Sequence, residues 1–164
     1  MFDILVYLFE NYVHADACPE PAQLARKLTA AGFEEEEIAD ALEWLSGLRQ
    51  ISDGESPSHC ARPGSLRIYA QDELLRLGVE CRGFLQFLEN SGILDAACRE
   101  MIVERALALG ETEIEPENLK VIVLMVLWQQ DRPINGLILD ERRHRGNRPA
   151  LTGPPLASPA QPFV

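Results

Sequence analysis

One stretch in the second half of the chain constrains the fold more than any other: "NLKVIVLMVLWQQ", residues 118–130. Apolar side chains occupy nearly every position around its helical wheel, and Pro116 suits the first turn of a helix. Its purely apolar run has eight residues, 121–128, whereas about 20 are needed to cross a bilayer as a helix. A helix that is apolar all round but too short for a membrane must be surrounded by the rest of its own protein. We therefore predict a central core helix here and no association with a membrane.

The remaining sequence supplies helices to surround this core element. Apolar residues recur at helical spacing, and Gly32, Gly92 and Gly110 follow three of the periodic segments as left-handed caps. The predicted helices are 2–13, 21–31, 34–48, 72–78, 79–92, 96–110 with Asp95 as its N-cap, 116–130 and 136–143. Residues 50–64 are predicted to form a loop because they are rich in Ser, Pro and Gly. The alternation in "SLRIYA", residues 65–70, predicts a short strand.

These elements predict a mainly α protein in two parts. Three helices and a short β segment resemble a winged-helix outline over residues 1–70, and residues 71–141 form a helical bundle packed against it. Residues 142–164 differ in composition, with four Arg, five of the chain's 11 Pro and no acid. They carry too little apolar surface to offset conformational entropy, so a basic, Pro-rich, disordered tail is predicted.

The predicted helices 21–31 and 34–48 resemble a helix-turn-helix pair, and the charge of the chain bears on whether the second of them contacts DNA. The net charge is −11, and residues 1–141 hold all 26 acidic residues but only 11 of the 15 basic ones. In the predicted helix 34–48, Glu36, Asp40 and Glu43 form an exposed acidic row that is flanked by Trp44. Insertion of this helix into a major groove would set carboxylates against phosphates, so direct nucleic-acid binding is not expected.

The acidic row allows two interpretations. It is either a solvated face or a surface for a basic protein partner, with Trp44 as an anchor at its edge or as part of the core. The glutamates in the first turn are also explained by the helix dipole, which favours negative charge there. Glu36, Asp40, Glu43 and Trp44 are therefore the candidate interaction face.

Catalytic and metal-binding constellations are not predicted. His14, Cys18, His59 and Cys60 contain zinc-ligand types, but the adjacent pair is awkward for one tetrahedron and no Cys-x-x-Cys occurs. For Cys81 to act as a nucleophile a positioned base is needed, and the sequence indicates none, so a buried thiol is the simpler interpretation. We therefore expect no catalytic residue, no cofactor and no metal, and we expect that the protein is not an enzyme.

Six segments together resemble the bacterial Smg family. They are "MFDILVYLFENY", "AGFEEEEIADALEWL", "RIYAQDE", "CRGFLQFLENSGIL", "REMIVERALALG" and "LKVIVLMVLW", in this order. The resemblance implies a small, soluble, cytoplasmic bacterial protein without established catalytic activity or cofactor, encoded near genes for DNA processing, topoisomerase and peptide deformylase. The resemblance ends near Glu141. The sequence after this residue differs from that of the family, and a strain-specific terminus or a shifted reading frame would explain the difference.

The leading functional hypothesis is a non-enzymatic interaction protein that binds an unidentified, basic protein through its acidic helical surface. The alternative is a nucleic-acid-associated regulator linked to DNA processing or translation, which would contact DNA through something other than its third helix. The oligomeric state is left open by both hypotheses.

Overall fold

The computed structural model describes residues 1–53 and 67–132. Within these residues the chain forms seven α-helices and one short 3-10 turn, the latter at Ala15–Ala17. The helices are α1 (Phe2–Asn11), α2 (Pro21–Ala30), α3 (Glu35–Asp53), α4 (Gln71–Arg76), α5 (Val79–Asn90), α6 (Ala96–Leu107) and α7 (Pro116–Gln129). No helix in the described part of the chain is long and apolar enough to span a membrane.

The centre of the fold is α7, as the sequence predicts. Every residue from Leu119 to Trp128 is buried, including Lys120. Its neighbours are α1, α3, α5 and α6, which together cover all sides of the helix. Lys120 is accommodated because its ammonium group lies 3.4 Å from the Glu117 carboxylate and 5.9 Å from the centre of the Phe84 ring. An all-round apolar helix is thus buried by the rest of its own chain, and one continuous core results.

The first three helices pack on this core through α1 and α3. Helix α2 ends as predicted at Gly32, which has a φ of 97°, and the Phe33 amide donates to the Leu28 carbonyl at 3.2 Å. This backbone conformation favours glycine, and it reverses the chain between α2 and α3. The Phe33 ring then meets Tyr7 of α1 edge-on, with 5.6 Å between ring centres. The α2–α3 pair is thereby fixed against α1.

The predicted strand is wrong for the part that the structure describes. Residues 67–70 are extended but pair with no strand, and Ile68 is 86% exposed. The physical reason is that side chains rather than a neighbouring strand hold the segment. Arg67 binds the Glu73 carboxylate, and the Ala70 amide donates to Glu73 at 2.7 Å. The segment is a lead-in to α4, and the winged-helix-like interpretation, which needs a β wing, is not supported.

Helix α3 is longer than predicted, because residues 50–53 continue the helix instead of starting a loop. Ile51 is half-buried against the core, and the Ser52 hydroxyl donates to the Leu48 carbonyl at 3.0 Å. Tertiary contact at this end therefore overrides the loop-like composition that begins at Gln50. The predicted helix 136–143 and the predicted tail 142–164 lie outside the described residues.

The central position of α7 predicts a steep cost for a cavity inside it. Ile122→Ala should lower the free energy of unfolding by about 2 to 5 kcal/mol, because Ile122 is fully buried and its neighbours cannot collapse completely into the space. Val79→Ala is the control, since Val79 is 77% exposed and should change stability by less than about 0.5 kcal/mol. Urea unfolding followed by circular dichroism measures both. Equal effects of the two substitutions would contradict the central role of α7.

Candidate functional site

The outward side of α3 carries the acidic row that the sequence predicts. Glu36, Asp40 and Glu43 are all exposed, and their spacing of four and three residues places them on one helix face. Gly47 continues this face toward the end of the helix. The neighbouring Glu37 points elsewhere, because it accepts a hydrogen bond from the amino group of Met1 at 3.2 Å. We call Glu36, Asp40 and Glu43 the acidic face.

Trp44 does not belong to the exposed surface. Only 5% of it is exposed, and its indole N–H donates to the Arg105 carbonyl of α6 at 3.1 Å. It lies three residues after Ala41 and four before Leu48, so it shares the buried stripe of the helix. The sequence allows Trp44 to lie either at the exposed edge of the acidic row or in the core, and in the structure it lies in the core. The role of an exposed interface anchor is therefore wrong for this residue.

A groove runs beside the acidic face, between α3 and the end of α6, and we call it the α3–α6 groove. Its volume is about 910 Å³. The lining residues come from the amino terminus, α3, α6 and the loop after α6: Met1, Phe2, Asp40, Glu43, Trp44, Ser46, Gly47, Gln50, Arg105, Ala108, Leu109 and Glu111. Three carboxylates, those of Asp40, Glu43 and Glu111, thus share one groove with apolar side chains. Glu36 belongs to the acidic face but lies outside this groove.

Arg105 is the residue of the groove that sequence reasoning missed. Its side chain is 13% exposed, and its Nε has no hydrogen-bond partner in the described part of the chain. The guanidinium lies on the backbone of α3 at Gly47, where a Cβ atom would come within 2.0 Å of Nη1. The nearest carboxylate oxygen, from Glu104, is 3.8 Å from Nη2. A glycine inside a helix was the signal, since it costs helix stability and usually marks a close approach.

A second groove borders the other side of α3, where it packs on α2. It has a volume of about 460 Å³ and is mostly apolar. Its lining residues are Ala25, Arg26, Thr29, Glu35, Ile38, Ala39 and Leu42. The acidic face therefore lies on the ridge of α3 between two grooves, and the one that contains its carboxylates is the α3–α6 groove.

Three acidic side chains outside α3, those of Glu73, Glu89 and Glu100, are paired with arginines of the same chain. Arg67 binds Glu73 at 2.6 Å and Glu100 at 2.8 Å, and Arg99 binds Glu100 at 2.8 Å. Arg99 also binds Glu89 at 2.5 Å. The hydrogen bonds from Arg67 hold the pKa of both Glu73 and Glu100 below the usual glutamate range. These carboxylates form a structural network that ties the segment before α4 to α5 and α6.

The acidic face has no such compensation. Within residues 1–53 and 67–132, Glu36, Asp40 and Glu43 form no ion pair and no hydrogen bond through their carboxylates. Three negative charges on one face, none of them in an ion pair, produce a local negative potential that Arg105 at the side of the groove offsets only in part. The chemistry of this surface is therefore attraction of a positively charged group from elsewhere.

The cysteines and histidines are not arranged for catalysis or metal binding. In the described part of the chain, no three His, Cys, Asp or Glu side chains are grouped as metal ligands. His14 instead lies 2.6 Å from Asp131, while His59 and Cys60 fall outside the described residues. Cys81 is buried and its thiol lies 3.3 Å from the Ile114 carbonyl. Burial raises the pKa of the Cys81 thiol, which is the opposite of nucleophile activation.

Comparison with known proteins identifies the family. The chain matches the family described as "Protein of unknown function (DUF494)" over residues 1–146. The "Protein Smg homolog" of Aromatoleum aromaticum is 60% identical over 142 residues, which cover 86% of this chain and 91% of the relative. The "Protein Smg homolog" of Azoarcus sp. is 57% identical over 141 residues, which cover 86% of this chain and 91% of the relative. The "Protein Smg homolog" of Methylibium petroleiphilum is 49% identical over 141 residues, which cover 86% of this chain and 93% of the relative.

The chain therefore belongs to the Smg family, as the resemblance of its six segments indicates. No solved structure matches it. The family match ends at residue 146, so it includes Arg142, Arg143 and Arg145, and residues 147–164 lie beyond it.

The contact between Arg105 and Gly47 predicts different effects of alanine at two helical glycines. Gly83→Ala in α5 should raise the free energy of unfolding by about 0.5 to 1 kcal/mol, because the site is open and alanine favours the helix. Gly47→Ala should gain less, because the new Cβ displaces the Arg105 guanidinium. Urea unfolding measures the stabilities, and the NMR signal of the Arg105 Nε–H reports the displacement. An unshifted signal in Gly47→Ala would contradict the described contact.

The arginine–glutamate network predicts a dependence of stability on pH. Since the pKa of Glu73 is lower in the folded state than in the unfolded chain, the unfolded state binds more protons, and stability falls as the pH drops. The stabilising effect is complete above the usual glutamate pKa of about 4.3 and is lost below it. Glu73→Gln should therefore be less stable than wild type at neutral pH, and the difference should shrink as the pH falls through this range. Urea titrations at several pH values test this, and a constant difference would contradict it.

Proposed function

We propose that this protein is a non-enzymatic bacterial cytosolic interaction module, and that its acidic face binds a basic segment of another protein. The observation that carries the proposal is the unequal compensation of charge. Glu73, Glu89 and Glu100 are paired with Arg67 or Arg99, whereas Glu36, Asp40 and Glu43 lie together on one helix face and have no ion-pair partner in the described residues. A face that is only solvated needs no groove beside it, but this face shares two of its carboxylates with the α3–α6 groove.

The groove supports a peptide-like ligand better than a flat electrostatic contact. Phe2 and Leu109 are half-buried and offer apolar contact at its walls, while Asp40, Glu43 and Glu111 offer acceptors for cations. Long basic side chains combine both properties, since their aliphatic stems cover apolar surface and their charged ends remain polar. A lysine- or arginine-rich segment is the partner that this combination suits.

The charge of α3 also argues against the helix reading DNA. Exposed carboxylates occupy the side of the helix that a major groove would receive, and binding to DNA gains most of its affinity from cations that replace phosphate counterions. Contact with a nucleic acid through α3 would therefore be repulsive.

Charge reversal on the acidic face should abolish binding of a basic probe. We expect a fluorescent octa-arginine peptide to bind the full chain, and Asp40→Lys with Glu43→Lys to weaken this binding by about tenfold or more, since two attractive contacts become repulsive. The matched control is Glu10→Lys with Glu80→Lys, which changes the net charge equally at exposed positions on α1 and α5. Fluorescence anisotropy measures the affinities, and circular dichroism checks that all variants fold.

Equal loss of affinity in both double variants would show that net charge, not the acidic face, binds the peptide, and it would overturn the proposal. A short duplex DNA is the second probe. Salt-sensitive binding of that duplex by the wild type, unaffected by the changes at Asp40 and Glu43, would favour a nucleic-acid-associated function instead.

A further inference from the structure

We infer that the basic segment of this same chain, residues 142–148, binds the acidic face and the α3–α6 groove, and so competes with an outside partner for them. The inference rests on the proposed function, because it concerns regulation of the same surface. The segment reads "RRHRGNR" and contains Arg142, Arg143, Arg145 and Arg148 without a single acid. It is the occupant that the chain itself supplies.

Charge complementarity is the first argument. Residues 142–164 contain four basic and no acidic residues, whereas all 26 acids lie before them. The acids of α4, α5 and α6 in the Arg67–Arg99 network already have cations, so they attract a further arginine less strongly. Asp40 and Glu43 have none within the described residues, and Glu111 adds a third carboxylate to the groove. The α3–α6 groove thus brings together three carboxylates that form no ion pair in the described residues, and four arginines are attracted to such a cluster.

The place where the described chain ends is the second argument. The Gln130 side-chain amide donates to the Ser52 hydroxyl at 3.3 Å, so the end of α7 lies beside the end of α3. From Ser52, Glu43 lies nine residues and Asp40 twelve residues back along α3, which corresponds to about 14 Å and about 18 Å at 1.5 Å per residue. Both carboxylates therefore lie within about 20 Å of the end of α7, from which the chain continues.

The connecting length matches this span. Arg142 lies ten positions after Arg132, with nine residues between them. As a helix this stretch would extend about 15 Å, as a flexible linker about 17 Å on root-mean-square average, and fully extended at most about 33 to 36 Å. Each of these lengths is at least equal to the span of about 14 Å to Glu43, so the linker is long enough for Arg142 to contact that residue. An effective concentration is greatest when the length of a linker matches the distance it must span.

The consequence is a weak internal competitor. A linker of this length gives an effective concentration in the millimolar range, so a four-charge contact of low intrinsic affinity occupies the face for part of the time. Outside basic ligands then bind less tightly than they would to the bare face. The competition depends on charge, and it weakens as salt shortens the Debye length from about 10 Å at 0.1 M to about 3 Å at 1 M.

The test compares the full chain with a variant in which all four arginines of the segment are changed to glutamine. The octa-arginine peptide should bind the glutamine variant about two- to tenfold more tightly than the wild type at low salt. A matched variant with the four arginines changed to lysine keeps the charge and should behave like the wild type. When Asp40→Lys and Glu43→Lys are added, neutralising the segment should have no further effect on the affinity.

Amide NMR spectra give a readout that does not depend on the peptide. Between wild type and the glutamine variant, the signals of Asp40, Glu43 and Gly47 should differ at about 0.1 M salt and coincide at about 1 M. Identical α3 signals at low salt would overturn the inference. Differences that grow with protein concentration would also overturn it, because they would place the segment on another copy of the chain.

The two readouts separate this inference from the proposed function. If the NMR signals show the segment on α3 while no variant binds the peptide, the inference is supported and the proposed binding of a basic partner protein is contradicted. If the peptide binds through Asp40 and Glu43 with the same affinity whether or not the segment is neutralised, the proposed function stands and the internal competitor fails.

Discussion

The fold depends on one requirement, the burial of a helix that is apolar on every side. Helix α7 exposes almost nothing between Leu119 and Trp128, so several other helices have to cover it at once. Because α1 and α3 precede residue 54 while α5 and α6 follow residue 67, both halves of the chain contribute to the same core. The hydrophobic effect at α7 thus ties together segments that are far apart in sequence.

This arrangement also determines which part of α3 remains available. The helix contacts α1, α2, α6 and α7 through its buried stripe of Ile38, Ala41, Leu45 and Leu48. Its acidic face must then point away from the core. Close packing on α6 requires a residue without a side chain, and Gly47 allows the Arg105 guanidinium to lie against the helix backbone. Gly47 and Arg105 both line the α3–α6 groove, so this close contact forms part of its wall.

Features that depend on local sequence could be predicted, and those that depend on distant contacts could not. Periodicity identified α7, the positive φ at Gly32 followed from its position after α2, and Asp95 caps α6 by accepting from the Cys98 amide at 2.8 Å. The short strand was wrong because alternation in a few residues says nothing about whether a partner strand exists. The end of α3 was predicted too early because Ser52 is held by Gln130, which lies 78 positions away.

The candidate site shows the same division. The spacing of Glu36, Asp40 and Glu43 placed them on one exposed face, since a helix has a fixed period. The position of Trp44 needed knowledge of α6, whose Arg105 carbonyl accepts its indole N–H across 61 positions. Arg105 and Glu111 became part of the groove only through that packing; the glycine at position 47 marks α3 for a close approach but does not identify the residue that approaches it.

A count of acidic residues therefore says less about this protein than the location of its arginines. Glu73, Glu89 and Glu100 are as acidic as the residues of α3, yet Arg67 and Arg99 convert them into internal connections between segments. The carboxylates of the acidic face form no ion pair with an arginine of the described chain, although such pairs would relieve repulsion, and Arg105 in the same groove binds Glu104 instead. An unpaired charge costs little in water, and it keeps its field available to a second molecule or to another segment. The four arginines from Arg142 to Arg148 are the arginines of the sequence beyond residue 132, and they are the cations that the inference brings to this face.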